Sequence, residues 1–319
     1  MTARRRAVFL GTGTFAVPIL EALAAAPEIE LVAVVTAPAR PAGRGQQIRV
    51  SPVAARAHEL GCRVLAPAHL RLPEAVAAVR ALAPELLVLA DYGQMVPPEL
   101  LALPRLGALN LHPSLLPRHR GAAPVAAAIL AGDRESGVTL MRMDEGLDSG
   151  PIVAQCRVAL DGRETAPELE ARLAALSVAL LAQSLGDWLA GRLPATAQPG
   201  VGGVTMTRPL RRADGRLDTT RPAIELERQV RAYQPWPGTY IETDGERLLI
   251  WRAEAMDDDA GAVPGTICAD GDGLAIATPG GRLRLIEVQA AGGRRMDGAA
   301  LRRGRPGLVG RHVGEAARG

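Results

Sequence analysis

The chain has 319 residues, more than one ordinary hydrophobic core accommodates, so the sequence predicts two domains. Its apolar fraction of 48 % and charged fraction of 22 % exclude an intrinsically disordered chain. All 37 basic residues are Arg, yet the net charge is only +3, so binding of nucleic acid depends on where the Arg residues cluster.

Short apolar runs alternate with helix-like segments along the first part of the chain. The run after the basic start "MTARRR" predicts a first strand and not a signal peptide, because it is short and ends at glycine. The runs cover residues 7–11, 30–36, 63–67, 86–90 and 108–112. This alternation predicts βαβ units, and therefore an α/β domain with a doubly wound, mostly parallel, Rossmann-like sheet.

Two later strands are predicted at 137–143 and 151–160, and the turn "DEGLDSG" between them favours a hairpin. A long helix is predicted from about Pro167 to Gly191. Its start has the capping-box pattern, with Thr165 three residues before Glu168.

The remainder of the chain predicts a second, smaller domain. Residues 196–208 are rich in Pro, Gly and Thr without a clear period, and predict a linker between a catalytic domain at 1–195 and a domain at 209–319. After one helix at 223–233, short β-like runs alternate with turn signals such as Asp244-Gly245. The expected fold is a small OB-like β-barrel.

Two glycine-containing loops are candidate ligand sites. "GTGTFA" (11–16) has the spacing of a dinucleotide-binding turn, but no acidic residue ends the second strand, so a packing turn is favoured over nicotinamide binding. The loop "TAPARPAGRG" (36–45) carries Arg40 and Arg44 after a strand. On the residues alone, a solvated loop and a loop that orders on a phosphate-rich partner are equally good interpretations.

The end of the strand at 108–112 carries the strongest chemical signal. Because alternate residues of a strand share a face, Asn110 and His112 point the same way while Leu109 and Leu111 point into the core. An amide donor and an imidazole at the carboxyl end of a parallel strand suit an oxyanion donor and an acid–base group. Asp148 is the candidate carboxylate partner, with Asp144 and Glu145 as rivals.

Other site types receive less support. Ser114 lacks the G-x-S-x-G elbow of a serine hydrolase, and the other four histidines (His58, His69, His119 and His312) are expected at the surface or in loops. Cys62, Cys156 and Cys268 form no CxxC pair, so neither a metal site nor a disulfide framework is predicted. A reducing, cytoplasmic setting is expected, with no membrane partner and a monomeric chain.

The motif "NLHPSLLP" followed by "GVTLMRMDEGLDSGPIV" resembles the folate-dependent formyltransferase family. That resemblance assigns catalysis to Asn110, His112 and Asp148. Three further motifs, "RPAGRG" (40–45), "RHRGAAP" (118–124) and "PWPGTY" (235–240), resemble the branch of the family that acts on methionyl-tRNA, whose members also have a C-terminal β-barrel. The resemblance covers most of the chain.

What the resemblance implies is formyl transfer from 10-formyltetrahydrofolate to the α-amine of initiator methionyl-tRNA, in translation initiation. Asn110 would donate to the oxyanion, His112 would stabilise it and protonate the leaving N10, and Asp148 would orient His112. No metal is expected, because the folate already carries an activated formyl group. The alternatives are transfer to an amino sugar nucleotide, an enzyme like glycinamide ribonucleotide formyltransferase, and a catalytically silent RNA-binding protein.

The same resemblance implies two binding regions. The folate-binding residues are expected in two loop segments: Tyr92, Gly93, Gln94, Met95 and Val96, and Ser114, Leu115, Leu116 and Pro117. The tRNA-binding residues are expected to be arginines in the loop at 36–45 and near the second domain: Arg40, Arg44, Arg208, Arg211 and Arg212.

Overall fold

The computed structural model describes residues 4–42, 47–200, 202–243, 245–258 and 261–314. Up to residue 189 its elements, in chain order, are β1 Arg5–Gly11, α1 Ala16–Ala25, β2 Ile29–Val35, β3 Arg40–Ala42, β4 Gln47–Arg49, α2 Pro52–Glu59, β5 Val64–Leu65, α3 Pro73–Arg80, β6 Leu86–Ala90, α4 Pro98–Leu101, β7 Ala108–His112, β8 Arg120–Gly121, α5 Pro124–Ala131, β9 Glu135–Arg142, β10 Ile152–Ala159 and α6 Ala166–Leu189. The later elements are β11 Met206–Thr207, α7 Ala223–Ala232, β12 Thr239–Thr243, β13 Glu246–Met256, β14 Ile267–Asp270, β15 Gly273–Thr278, β16 Gly281–Ala290, β17 Met296–Asp297 and α8 Gly298–Gly304.

The chain divides into two compact units. The first unit consists of Met1–Pro124, Glu135–Ala159 and Glu170–Arg208. The second unit consists of Val125–Arg134, Leu160–Leu169 and Pro209–Gly319. The boundaries predicted from the sequence, 1–195, 196–208 and 209–319, stay a prediction.

The first unit is built on a seven-stranded sheet in the order β10-β9-β7-β6-β1-β2-β5. Strands β5, β2, β1, β6 and β7 are parallel, whereas β9 runs antiparallel to both β7 and β10. The predicted mostly parallel α/β sheet is therefore confirmed, and β9 and β10 form the predicted hairpin. Every residue of β6 is buried, as a strand covered on both faces requires.

Residues 196–208 pair with other parts of the first unit at two places. Thr196 forms an antiparallel bridge with Ile152, and β11 pairs in parallel with β8. The Pro- and Gly-rich composition predicts an irregular connection, but it does not reveal that the segment also supplies backbone hydrogen bonds to a neighbouring loop. These pairings bring the segment beside the end of β7.

Helix α6 begins one residue before the predicted start and ends two residues before the predicted end. Glu168 accepts a hydrogen bond from the Thr165 backbone amide, which is one half of the predicted capping box. The helix is long and apolar enough to cross a membrane by length and composition, yet 44 % of its most apolar window is buried inside the protein. A buried core helix passes the same test, and buried Leu169, Leu173 and Leu180 line its inward face.

The second unit contains an antiparallel sheet in the order β12-β13-β16-β15-β14, with β17 beside β16. Irregular register near Arg252 in β13 marks a bulge, which lets a strand of 11 residues bend. Side chains from all five strands of the main path, with α7 and α8, share one hydrophobic core. The antiparallel domain predicted at the C-terminal end, of the small OB-like barrel class, is confirmed; the predicted turn residue Asp244 lies outside the described residues.

Candidate active site

Strand β7 places Asn110 and His112 on one face at the carboxyl end of the parallel strands. Leu109 and Leu111 are fully buried on the opposite face, as the period of a strand predicts. His112 is also buried, with 5 % of its surface exposed, whereas Asn110 is half-buried. The amide and the imidazole therefore lie beside each other in a largely dry environment, where polar interactions are stronger than in water.

Asp148 joins these two side chains. Its Oδ1 accepts a hydrogen bond from Asn110 Nδ2 at 3.3 Å, and its Oδ2 lies 3.5 Å from His112 Nδ1. The backbone amide of Gly121 also donates to Oδ2, at 2.8 Å. The structure thus brings together the three residues that the sequence predicted, and it adds a backbone donor that fixes the carboxylate.

The second ring nitrogen of His112 is held by a backbone carbonyl. His112 Nε2 lies 2.9 Å from the carbonyl oxygen of His119, and a carbonyl can only accept, so the proton in this hydrogen bond is on Nε2. His119 lies in the loop between β7 and β8, one of the two placements expected for it, but it is buried, with only 7 % of its surface exposed. His119 fixes the tautomer and the plane of the neighbouring ring.

The two rival carboxylates, Asp144 and Glu145, lie in the same turn as Asp148 but have other surroundings. Asp144 Oδ1 accepts hydrogen bonds from the Gly146 amide at 3.0 Å and from Ser149 Oγ at 2.9 Å. Asp144 therefore builds the turn, as short acidic side chains commonly do. Glu145 is exposed.

The segment from Ser114 to Pro117 lies directly beyond β7. Ser114 and Leu116 are buried, whereas Leu115 and Pro117 are half-buried. Ser114 Oγ donates to the Arg118 carbonyl at 2.6 Å, so the hydroxyl maintains the loop and is not a nucleophile. Leu115 covers Gly137, where a Cβ would collide with its side chain.

The segment from Tyr92 to Val96 follows β6, next to β7 in the sheet. Gly93 and Met95 are exposed and Val96 is buried. Gln94 Oε1 accepts from the Leu70 amide at 2.7 Å, so this side chain anchors the segment. Burial raises the pKa of Tyr92 to about 12, and its hydroxyl is buried without a hydrogen-bond partner in the described part of the chain.

The predicted tRNA-binding arginines fall in three places. Arg40 is exposed in β3, and Arg44 lies outside the described residues. Arg208 is exposed at the end of the first unit. Arg211 and Arg212 are exposed in the second unit, where the Arg211 amide donates to Asp214. No cluster of potential metal ligands occurs among the residues described.

The turn "GTGTFA" (11–16) has a carboxylate beside it, where a phosphate would have to bind. Asp91 accepts a hydrogen bond from the Gly13 amide, and a Cβ on Gly13 would collide with its carboxylate. Desolvation and the neighbouring charge of Glu170 raise the pKa of Asp91 to about 6, against the lowering effect of the Gly13 amide. A negative group at this amide disfavours dinucleotide binding and supports the packing interpretation of "GTGTFA".

Three groups that support the site were not found from the sequence: the Gly121 amide, the His119 carbonyl and the Gln198 side chain. Gln198 Nε2 donates to the carbonyls of Asp148 and Gly150. These hydrogen bonds connect residues 27 to 50 positions apart, or use backbone atoms, so a local motif cannot reveal them. The only local sign in the sequence was the glycine of "RHRGAAP". Gly121 has φ 98°, a backbone conformation that glycine adopts readily and other residues rarely do.

Comparison with protein families gives two matches. A model of the family described as formyl transferase matches residues 4–185, and a model described as formyl transferase, C-terminal domain, matches residues 209–306. Among curated relatives, the methionyl-tRNA formyltransferase of Myxococcus xanthus is 43 % identical over 304 residues, covering 95 % of this chain and 96 % of the relative. That of Gluconacetobacter diazotrophicus is 46 % identical over 311 residues, covering 97 % and 99 %.

Solved structures show the same fold at low identity. An N-formyltransferase from Helicobacter canadensis, in complex with folinic acid and dTDP-3-aminofucose, aligns with a TM-score of 0.63 at 16 % identity, covering 88 % of this chain and 98 % of that one. HypX from Aquifex aeolicus, in complex with tetrahydrofolic acid, aligns with a TM-score of 0.61 at 17 % identity. The alignment covers 94 % of this chain and 47 % of HypX, so the chain spans about half the length of HypX.

Proposed function

This chain belongs to the formyl transferase family, and we propose that it transfers a formyl group from 10-formyltetrahydrofolate to the α-amine of initiator methionyl-tRNA. The observation that carries the proposal is the Asp148 carboxylate between the Asn110 amide and the His112 ring. The acceptor is supported by the methionyl-tRNA formyltransferases that match nearly the whole chain at 43 % and 46 % identity. Such a reaction belongs to translation initiation in the cytoplasm.

Asn110 supplies the oxyanion donor. Its amide nitrogen has two hydrogens, and Asp148 Oδ1 accepts only one, so the second remains for the substrate oxygen. Attack of the methionyl amine on the formyl carbon forms the new C–N bond and places negative charge on that oxygen. A preorganised donor of this type contributes about 3 kcal/mol of transition-state stabilisation.

His112 moves the proton that the reaction requires. The attacking amine loses a proton, and N10 of the folate gains one as its bond to the formyl carbon breaks. We place this transfer at the Nδ1 edge of the ring, because the His119 carbonyl occupies Nε2. Asp148 stands 3.5 Å from Nδ1 and stabilises the positive charge that the ring carries between the two proton transfers.

The segments at 92–96 and 114–117 fit a folate. The exposed backbone at Gly93 and Met95 offers amides and carbonyls for a polar ring edge, and Leu115 and Pro117 offer half-buried apolar surface. The unpartnered Tyr92 hydroxyl is a further buried donor. These segments follow adjacent strands β6 and β7, so both reach the sheet edge that carries Asn110 and His112.

The acceptor tRNA would bind the exposed arginines Arg40, Arg208, Arg211 and Arg212, with Arg44 in the same predicted set. A guanidinium forms two parallel hydrogen bonds to a phosphate, so these side chains suit an acceptor stem. The same chemistry gives a binding constant that falls as salt rises.

Substrate choice tests the proposal. Purified protein with 10-formyltetrahydrofolate is offered methionyl-tRNA, an amino sugar nucleotide and glycinamide ribonucleotide, and transfer of a labelled formyl group is measured. Transfer to methionyl-tRNA is expected, with turnover reduced by about 10²-fold or more in Asn110→Ala and His112→Ala. Transfer only to a small amine would assign the alternative acceptor, and tRNA binding without any transfer would assign a silent RNA-binding protein.

A further inference from the structure

The backbone register beyond β10 determines which side chain reaches the Asp148 turn. Thr196 and Ile152 exchange backbone hydrogen bonds of 2.7 and 2.8 Å in an antiparallel bridge. In antiparallel pairing, two residues forward on one chain lie opposite two residues back on the other. Gln198 is therefore brought opposite Gly150, two residues after Asp148.

The Gln198 side chain uses its amide on two sides. Nε2 donates to the Asp148 carbonyl at 2.8 Å and to the Gly150 carbonyl at 2.7 Å. Oε1 accepts from Arg120 Nε at 3.1 Å and Nη2 at 2.6 Å. Both amide hydrogens and the carbonyl oxygen thus have partners, so the side chain has one orientation.

Asp148 needs such support because its backbone is strained. Its φ of 48° is in the left-handed region, which is disfavoured for a residue with a Cβ. The direction of its carboxylate toward His112 and Asn110 depends on that φ. Hydrogen bonds to the carbonyls of Asp148 and Gly150 fix the plane of the 148–149 peptide and that of the 150–151 peptide, so the turn is held directly after Asp148 and again after Gly150.

The same segment also supports the other partner of His112. Thr205 Oγ1 accepts a hydrogen bond from the His119 amide at 2.7 Å, and the His119 carbonyl accepts from His112 Nε2. Arg120 joins the two ends, because its guanidinium donates to Gln198 while its carbonyl accepts from Thr207. One stretch of chain after α6 therefore holds the Asp148 turn and the loop on the opposite side of the ring.

From these hydrogen bonds we infer that Gln198 is a positioning residue for formyl transfer, acting through the backbone of Asp148 on the geometry of the Asp148–His112 pair. The inference rests on the proposed function for its readout. The Gln198 side chain bonds to the backbone of the turn and to Arg120, so its effect on His112 is indirect. A displacement of about 1 Å in a catalytic group can cost 10²-fold in rate, which is the scale of effect expected here.

The first test separates positioning from stability. Gln198→Ala is expected to lower kcat by about 30- to 100-fold while KM for both substrates changes by less than about threefold. Gln198→Glu keeps the acceptor for Arg120 but loses both donors to the Asp148 turn, so it should behave like the alanine variant. Wild-type kcat in Gln198→Glu would overturn the inference.

Arg6→Ala is the matched control. Arg6 also donates two hydrogen bonds to a backbone carbonyl, that of Leu82, but it lies at the opposite end of β1 from the site. It should lower the melting temperature to a similar extent as Gln198→Ala and leave kcat unchanged. An equal loss of kcat in both variants would show that Gln198 only stabilises the fold, and would contradict the inference.

A double-mutant cycle with Asp148→Asn tests the route of the effect. If Gln198 acts through the Asp148 carboxylate, Gln198→Ala should lower kcat by less than about threefold when residue 148 is already Asn. Independent, multiplicative effects would contradict the inference. The wild-type protein in the same assay tests the proposed function separately. If the wild-type protein formylates a different amine, kcat of the same variants is measured with that amine as the acceptor.

Discussion

The Asp148 carboxylate is the centre of the site, since it lies between Asn110, the Gly121 amide and the His112 ring. Asp148→Asn is expected to lower kcat by about 10²-fold or more, because the neutral amide no longer stabilises a positive charge on His112. Asn tolerates positive φ as well as Asp does, so the turn should remain. Single-turnover transfer and a thermal melt measure the two effects; full activity of the variant would contradict the role of Asp148.

Asp91 predicts a pH dependence of stability. Its pKa is raised to about 6 from an ordinary value of 3.8, first by desolvation and then by Glu170. Between about pH 4 and pH 6 the folded protein therefore binds a proton that the unfolded chain has released, so this group makes the free energy of unfolding fall as pH rises. Above pH 6 the charged carboxylate destabilises the fold by about 1 kcal/mol or less. The carboxylate packs against Gly13 and is partly desolvated, but the residue as a whole is exposed, so water screens much of its charge.

The measurement compares wild-type protein with Asp91→Asn. The variant is expected to melt at a higher temperature than wild type at pH 7 and at the same temperature near pH 4. Glu170→Gln should lower the pKa of Asp91, followed by carbon NMR of its carboxyl group. An unchanged difference between the two proteins across this pH range, or an ordinary Asp91 pKa, would refute the assignment.

The positions of Asn110 and His112 could be predicted because strand periodicity is local. Their common face follows from a spacing of two, and the buried Leu109 and Leu111 confirm it. The choice of Asp148 over Asp144 needed coordinates, since both lie in one turn and only the hydrogen bonds to Gly146 and Ser149 show what Asp144 does. The contact that His119 makes with His112 could not be predicted, because it uses a backbone carbonyl, which any residue type could supply.

At the scale of elements, the site depends on the short pairing of β8 with β11. Gly121 in β8 has φ 98°, and a Cβ there would lie 2.5 Å from the Thr207 carbonyl oxygen. Its amide also donates to Asp148. Neither strand is more than two residues long, so their pairing has little strength to resist an intruding methyl group.

Gly121→Ala is therefore expected to lower both stability and turnover. The collision should push β11 from β8 and weaken the hydrogen bond from the amide to Asp148, reducing kcat by about tenfold or more. Gly191→Ala is the control, because Gly191 has φ 70° with open space around it. The control should lose about 1 kcal/mol of stability from backbone strain and retain its kcat. Comparable turnover in the two variants would contradict the proposed link between the pairing and the site.

The buried strands and the hairpin could be predicted from the sequence, whereas the shortest strands could not. Fully apolar runs such as β6 and the alternating β7 follow from the sequence pattern, as does the β9–β10 hairpin with its turn. Strands β8 and β11 were not predictable, because a pair of two-residue strands has no period. The pairing is decided by hydrogen bonds between residues 86 or 87 positions apart, such as Thr205 with His119 and Thr207 with Arg120.

At the scale of the whole molecule, two family models match separate parts of the chain, at residues 4–185 and 209–306. The sequence predicts a second domain because its pattern changes after the helix at 223–233, where short β-like runs with tight turns replace βαβ units. The compact units are less simple than the sequence indicated. The segments Val125–Arg134 and Leu160–Leu169 belong to the second unit although they interrupt the first along the chain.

The distribution of charge over the molecule gives the last prediction. The net charge is only +3, so strong binding of tRNA has to come from particular arginines and not from the overall field. Replacing Arg211 and Arg212 together by Ala should weaken tRNA binding and reduce the slope of log K against log salt by about 2, one for each phosphate that is no longer neutralised. KM for 10-formyltetrahydrofolate should not change.

The control is Arg71→Ala with Arg80→Ala, which removes two exposed charges outside the predicted set. Filter binding between 50 and 200 mM salt (about the range over which such interactions are resolved) measures both slopes. Equal loss of slope in the two double variants would show that net charge, and not the position of Arg211 and Arg212, determines the affinity.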